Sequence, residues 1–329
     1  MTKLATLGRR AALLLAPAAL LLSTALPASA DWQPSQPVEY IAPANPGGGW
    51  DTLVRTTARV LQEEGLAEVN FAPINIPGGG GSVAWAQIAA DAGNPHKLFA
   101  VSPPIILVPL AGQSAYDHTA FTPVARLITD YSIILVQQNS PYETINDLMA
   151  AIEANPALAV GGGSAPGSMD HIASAGAASA AGIDARSVNY IPFSGGGEAM
   201  TALLGGHVAA VATGAGEAAA QLAGGEIRAL AVSSPERIEA LPDIPTFVES
   251  GIDFTFDIWR GIMGPPEMPA EAVAYYEAMY ASMVETAGWK EAREQLGWLD
   301  AYQGPDDFGA FLDAQKEQFS TILTDLGLM

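Results

Sequence analysis

The sequence predicts an α/β protein of two lobes. Three observations predict it. Strand-like apolar runs alternate with helical patterns along the chain, which argues for parallel sheets with helices on their faces. A unit of strand, glycine-rich turn and helix occurs twice in each half. Beyond an apolar N-terminal stretch, about 300 residues remain, a size that suits two domains.

The first strand, Val38 to Ala42, enters a turn from Pro43 to Asp51, and Leu53, Val54, Ala58 and Leu61 then set a helical pattern. The second strand, Val69 to Ala72, enters a turn from Asn75 to Ser82, followed by Val83, Trp85, Ala86 and Ile88 at helical spacing. A third strand runs from Leu98 to Ser102. Tyr131 to Val136 is apolar enough for a buried strand and is the expected crossover into the second lobe. A helix from Asn146 to Glu153 stops before Asn155-Pro156, because proline disfavours the helical conformation of the residue before it. Leu158 to Val160 leads into a third glycine turn, 161–168, and a helix from Met169 to Ala181. Ser187 to Ile191 leads into a fourth, 192–197, and a helix from Glu198 to Leu204. Leu230 to Val232 is a further strand, and the run from Phe254 to Trp259 is expected to return the chain to the first lobe. Helices near 270–286 and 306–325 close the chain; Val273, Tyr276, Tyr280 and Met283 give the former an apolar stripe that reads as core. The expected lobes are 31–131 with 257–329, and 132–256.

Glycine lets a turn fold tightly and aim successive N–H groups at one spot. At a helix start those donors add to unpaired first-turn amides and the positive end of the helix dipole. Each turn is thus a candidate anion cradle. The alternative is an ordinary βα turn that uses glycine for clearance. Two such turns in the first half, both with Asn and Pro before the glycines, favour a ligand. No Gly-Lys pair occurs, so neither turn is a phosphate-binding loop of the G-x-x-x-x-G-K-[ST] kind, and strict G-x-G-x-x-G is missing too.

Lys3, Arg9 and Arg10 precede an apolar stretch from Ala11 to Leu22, and Ala28-Ser29-Ala30 is an A-x-A cleavage site. The chain is therefore expected to be exported to the periplasm and cleaved after Ala30, by the general secretory or the twin-arginine route. The stretch is short and broken by Pro17, which suits a leader better than a membrane span. Cleavage takes the formal charge from −21 to −24, with 11 basic and 35 acidic side chains left. That excess argues against nucleic-acid binding and anionic membranes. Backbone amides can still hold an anion locally. With no cysteine, disulfides and thiolate metal sites are excluded. No G-x-S-x-G or H-E-x-x-H occurs, and the adjacent Asp170 and His171 cannot orient as parts of a triad. An exported hydrolase remains the rival class, and neither a cofactor nor a metal is expected.

In order and spacing, several fragments resemble the substrate-binding proteins of tripartite tricarboxylate transporters, the group that includes the Bordetella uptake receptors. They are Pro-Gly-Gly-Gly-Trp-Asp (46–51), Asn-Ile-Pro-Gly-Gly-Gly-Gly-Ser (75–82), Gly-Ser-Met-Asp-His (167–171) and Pro-Phe-Ser-Gly-Gly-Gly-Glu-Ala (192–199). Gly-Glu-Ile-Arg-Ala-Leu-Ala-Val (225–232) and Leu-Pro-Asp-Ile-Pro-Thr-Phe (241–247) complete the set. The resemblance implies a type II periplasmic binding protein, two α/β lobes joined by crossover strands with a ligand cleft between them. It implies a monomeric receptor that closes on a small carboxylate and hands it to membrane permease subunits. Citrate-like tricarboxylates and dicarboxylates come first, with aromatic acids such as terephthalate or acidic amino acids as alternatives. Carried over, the ligand positions in the first lobe are Asn45, Gly47, Gly48, Gly49, Trp50 and Asp51, then Pro77, Gly79, Gly80, Gly81 and Ser82, with Ser102 at the end of the third strand. The second lobe contributes Gly163, Ser164, Ser168 and His171, then Ser194 and Gly195.

Several of these residues have two readings. Trp50 stands where many relatives carry a small residue; it either narrows the pocket or stacks on a flat ligand. His171 either donates to a carboxylate or caps and packs beside its turn. Asp51 would repel an anion and so reads better as the residue that orders its turn. Arg260 and Arg126, near the crossovers, are candidate counter-charges, with ion pairing the plainer reading. His96, His118 and His207 read as surface or turn residues, and Trp85 as core.

Overall fold

The structure of the chain is a computed structural model that describes residues 1–2 and 32–328. The expected leader therefore lies outside the described residues, apart from Met1 and Thr2. Two sets of parallel strands, each wound through helices, are joined by antiparallel strands in the middle. The first set is β1 (Val38–Ala42), β2 (Phe71–Asn75) and β3 (Lys97–Val101), linked by α1 (Gly49–Glu63) and α2 (Ser82–Ala89). After α3 (Pro104–Leu110) comes β4 (Thr122–Gln137), a single strand of 16 residues. Beyond α4 (Ile145–Ala154), the second set is β5 (Ala159–Gly162), β6 (Asn189–Pro192) and β7 (Ala210–Gly214), linked by α5 (Met169–Ala180) and α6 (Gly196–Leu204). Then follow α7 (Ala215–Gly224), β8 (Ile227–Val232), β9 (Asp257–Gly264), α8 (Ala270–Glu285), α9 (Ala287–Gln295), β10 (Leu299–Gln303) and α10 (Pro305–Asp325).

The strand order is β2-β1-β3-β9-β4-β7-β5-β6, with β8 and β10 also paired to β4. Strand β4 belongs to both halves. Its residues 122–131 pair with β9, and 132–137 pair with β7 and β8. All four of its partners run antiparallel to it, and so does β9 to β3. The expectation of parallel sheets is corrected here to mixed ones. Strands joined through one crossover helix must run parallel, but β4 and β9 pass between the halves and enter each sheet from the opposite end.

Along β4, Ile133 and Leu135 join one apolar cluster with Leu203, Val211 and Val232. Ile134 and Val136 join another on the opposite face with Leu148, Ile152, Val160 and Phe247. Burial on both faces explains why this stretch reads as an unbroken apolar run rather than an alternating one. A third and larger cluster contains Tyr40, Trp85, Phe99, Trp259, Tyr276, Tyr280 and Met283. Within it Tyr280 donates to the Tyr40 hydroxyl at 3.0 Å, Tyr40 meets Thr57 at 2.8 Å and Thr57 donates to the Leu53 carbonyl at 2.7 Å, so these buried hydroxyls are all satisfied. Among the described residues, no helix is long and apolar enough to cross a membrane.

Candidate functional site

All four glycine turns come together. A cleft between the two halves is lined by Gly48, Gly49 and Trp50 of the first turn, Gly80 of the second, Gly163 and Ser164 of the third, and Gly195 and Gly196 of the fourth. Ala44, Pro104, Met169, Asp170, Glu217 and Arg260 complete its walls. The cleft is closed. The Asn45 amide donates to the Ser194 carbonyl at 2.9 Å, and the Asn45 side chain donates to Glu198 at 3.1 Å. The cavity left inside is about 20 Å³, room for a water molecule and little more.

Each turn is held by its own residues. Asp51, 4% exposed, accepts the Gly47 amide at 2.9 Å with one oxygen. Its other oxygen takes Arg55 at 2.8 Å and the Asn75 side chain at 2.9 Å, which ties the first turn to the second. The second turn is a run of four glycines with positive φ, Gly78 at 126°, Gly79 at 57°, Gly80 at 64° and Gly81 at 108°. Only glycine tolerates such a run without strain. In the third turn, the Asp170 amide donates to the Ser164 hydroxyl at 3.1 Å, and Tyr190 donates to the Ser164 carbonyl at 2.7 Å. In the fourth, the Ser194 amide donates to Glu198 at 3.0 Å.

The charged floor of the cleft comes from elements far apart in sequence. Arg260 of β9, 1% exposed, donates to Glu217 of α7 at 2.9 Å and to Asp130 of β4 at 3.3 Å. Burial opposes the guanidinium charge, but these two carboxylates outweigh it and hold the arginine above its ordinary value. Asp130 is pushed up to about 6, chiefly by burial, although Arg260 pulls the other way. Asp170 is pushed up to about 7, first by burial and then by the charge of Glu217. Three polar atoms of cleft residues are buried without a hydrogen-bond partner: Trp50 Nε1, Asp170 Oδ1 and Arg260 Nε.

Of the residues expected to bind ligand, Gly48, Gly49, Trp50, Gly80, Gly163, Ser164 and Gly195 line the cleft. Trp50 is buried against Trp85, edge to face with ring centroids 6.5 Å apart, so it forms a wall. Asn45, Gly47, Asp51 and Ser194 shape the turns behind it. Pro77, Gly79, Gly81 and Ser82 build the second turn around Gly80 but do not line the cavity. Ser102 is buried with its hydroxyl toward Met169, and Ser168 precedes α5 with its hydroxyl buried and unpartnered. His171 faces away from the cleft. Its Nδ1 accepts the Gly167 amide at 2.9 Å, its ring stacks on Tyr190, and burial holds it down to about 4, neutral at ordinary pH. Of the two readings of His118, surface or turn, the structure corrects the first: it sits in a short 3-10 turn, 118–120, but is buried, with Nε2 3.0 Å from Asp313. Arg126 sits over the Phe311 ring and outside the cleft. Sequence reasoning missed Asp170 and Glu217. Both lie in the first turn of a helix, where an acid reads as favourable pairing with the helix dipole.

Residues 58–328 match the tripartite tricarboxylate transporter family receptor. The chain belongs to this family. It is 26% identical over 314 residues to the protein BugT of Bordetella pertussis, covering 92% of this chain and 93% of that one. It is 25% identical over 334 residues to a protein from the tcbD-tcbE intergenic region of Pseudomonas sp. (strain P51), covering 99% and 96%. Among solved structures it is similar to the periplasmic binding protein BugD, with a TM-score of 0.82 at 23% identity over 90% of this chain and 99% of that one. The Rhodopseudomonas palustris protein MatC, with bound malate, gives 0.79 at 23% over 88% and 99%, and Rpa4515 of R. palustris, with adipate, gives 0.82 at 22% over 90% and 98%. A TctC solute-binding protein from Polaromonas without ligand gives 0.61 at 30% identity over 89% and 99%. Family and fold are those of solute-binding receptors.

Proposed function

We propose that the protein is a periplasmic receptor that captures a small di- or tricarboxylate and delivers it, as a monomer, to the permease subunits of a tripartite transporter. One observation carries this reading. Four glycine turns, two from each half of the chain, converge on one cleft floored by the buried Arg260. All four open helices, α1, α2, α5 and α6, whose first-turn amides have no carbonyl within the helix to bond. The lobes of this reading are 31–131 with 257–329, and 132–256, hinged where β4 and β9 pass between them. Neighbours of the same fold hold malate and adipate, which suits a dicarboxylate here. The chain superposes less well on its ligand-free Polaromonas relative than on those two, although that relative is more similar in sequence. A change in the angle between two lobes lowers an overall superposition in this way while leaving each lobe intact, which supports a hinge.

A second reading, an acidic amino acid, is favoured by Asp170 and Glu217, whose carboxyl groups would suit a ligand ammonium. The test is a thermal-shift and calorimetric screen of the mature protein against di- and tricarboxylates, hydroxy acids and acidic amino acids. The expected outcome is a ligand-dependent rise in melting temperature and micromolar affinity, on the order of −8 kcal/mol, with the ligand recovered unchanged. Product formation, or no binding across the panel, overturns it.

A further inference from the structure

The cleft carries more negative charge than an anion receptor should tolerate. Arg260 already answers to both Glu217 and Asp130, which approach it at 2.9 and 3.3 Å. Asp170, on α5, is a third acid on the same wall, 1% exposed, with its Oδ1 unpartnered. A dianion closed into this space would face two carboxylates, a single cation and a third acid, Asp130, behind that cation. Burying such an excess in a dry cleft is prohibitive unless one acid gives up its charge.

We propose that Asp170 reads the ligand as a neutral acid, donating a hydrogen bond from its carboxyl O–H to a ligand carboxylate oxygen, so that closure on a dicarboxylate takes up one proton from solution. This rests on the receptor reading above and extends it to the chemistry of the contact.

The surroundings of Asp170 favour its neutral form on balance. Burial comes first, Glu217 from α7 disfavours its charge as well, and Tyr190 from β6 is half-buried and neutral beside it. His171, next along α5, is neutral and turned to Gly167. The Ser164 side chain, Arg260 from β9 and the Gly163 backbone oppose, but burial and Glu217 outweigh them, and two other acids already hold the arginine. The Ser164 hydroxyl accepts the Asp170 backbone amide and so fixes the first turn of α5, from which the carboxyl reaches the cleft.

The sign follows from linkage. The closed cleft holds Asp170 at about 7, and a bound anion raises it further, while parting the lobes returns water to the carboxyl and lowers it. Below the value of the open form the proton is already in place and affinity is flat. Above it each binding event must draw a proton from solution, so affinity falls as pH rises. Both carboxyls of malate or adipate are ionised above about pH 6, so the probe adds no titration of its own.

The experiment is calorimetry of the mature protein with malate and adipate between about pH 6 and 9, in pairs of buffers with different ionisation enthalpies. Expected are uptake of about one proton at pH ~8 and a dissociation constant that rises up to tenfold per pH unit above the open form's value. Asp170→Asn keeps a donor at the same place without a titrating proton, and is expected to bind with a flat pH profile and no uptake. The wild-type proton count decides the matter even if that variant folds poorly. Malate or adipate binding with no proton uptake and constant affinity overturns the proposal while leaving the receptor reading intact. Tight binding of aspartate or glutamate without uptake also overturns it, because an ionised Asp170 would then face the ligand ammonium. No binding of any carboxylate at any pH defeats the receptor reading, and the proposal with it.

Discussion

At Gly48 the first turn comes close to the fourth: a Cβ built there lies 3.1 Å from the Gly196 nitrogen, tighter than an ordinary contact. Valine at this position holds the two turns apart without disturbing its own backbone, which is extended at φ −90° and ψ 173°. Gly48→Val is therefore expected to weaken carboxylate binding at least tenfold, about 1.4 kcal/mol, with stability nearly unchanged. Asp51→Asn should act the other way. Asp51 accepts three hydrogen bonds through two oxygens, and asparagine offers one oxygen and a donor, so either Gly47 or the Arg55 and Asn75 pair faces N–H against N–H. The expected cost is about 1–3 kcal/mol of folding stability. Calorimetric titration and urea unfolding of both variants separate the two effects; wild-type affinity in Gly48→Val removes the closing contact from the mechanism. The four turns were legible in the sequence because glycine runs between apolar segments leave a local mark. The acids gathered in the cleft and behind Arg260 were not, since Asp170, Glu217 and Asp130 belong to three elements and each alone has a bland local reading.

Helix α2 depends on how its chain arrives. It has only eight residues, and its first turn follows the run of left-handed glycines from Gly78 to Gly81. At Gly81 a Cβ would lie 2.5 Å from Trp85 Cζ2, and Trp85 is fully buried with nowhere to retreat. Gly65, just beyond α1, also has positive φ, 66°, but open space around it. Gly65→Ala should thus cost only the left-handed penalty of about 1–2 kcal/mol, and Gly81→Ala distinctly more, as read from urea midpoints at constant m. Equal midpoints would mean that Trp85 yields easily and that the turn is not pinned by its helix. Elements with a repeating pattern were read correctly from sequence, among them the apolar stripe of α8. The pairing directions of β4 and β9 were not, because they depend on where the chain goes between strands. Strand β10 and helix α9 escaped notice for a related reason: Leu299 to Gln303 is polar and half-exposed, and takes its shape from the β4 edge it pairs with.

For the whole molecule the decisive quantity is room. A small-molecule site needs about 300 Å³ or more, and the closed cleft offers about 20 Å³. A dicarboxylate cannot enter unless the lobes part, and β4 and β9 are the strands about which they would turn. Small-angle scattering of the mature protein should give a radius of gyration larger than this closed form when ligand is absent, and a smaller one at saturation. Identical profiles in both conditions would argue for a rigid protein and against the hinge.

The position of β9 has a consequence for how the protein is made. Its neighbour β3 lies about 160 residues earlier in the chain, so the first three strands keep an unpaired edge at β3 until residues 257–264 arrive. The stretch from β5 to β7 has no such gap and can assemble as it emerges. The β5 to β7 pairing is therefore expected to form first and the β3–β9 pairing last, an order that pulse-labelled hydrogen exchange during refolding would read out. An open sheet edge is a template for wrong partners. A chain built this way gains from staying unfolded until all of it is present.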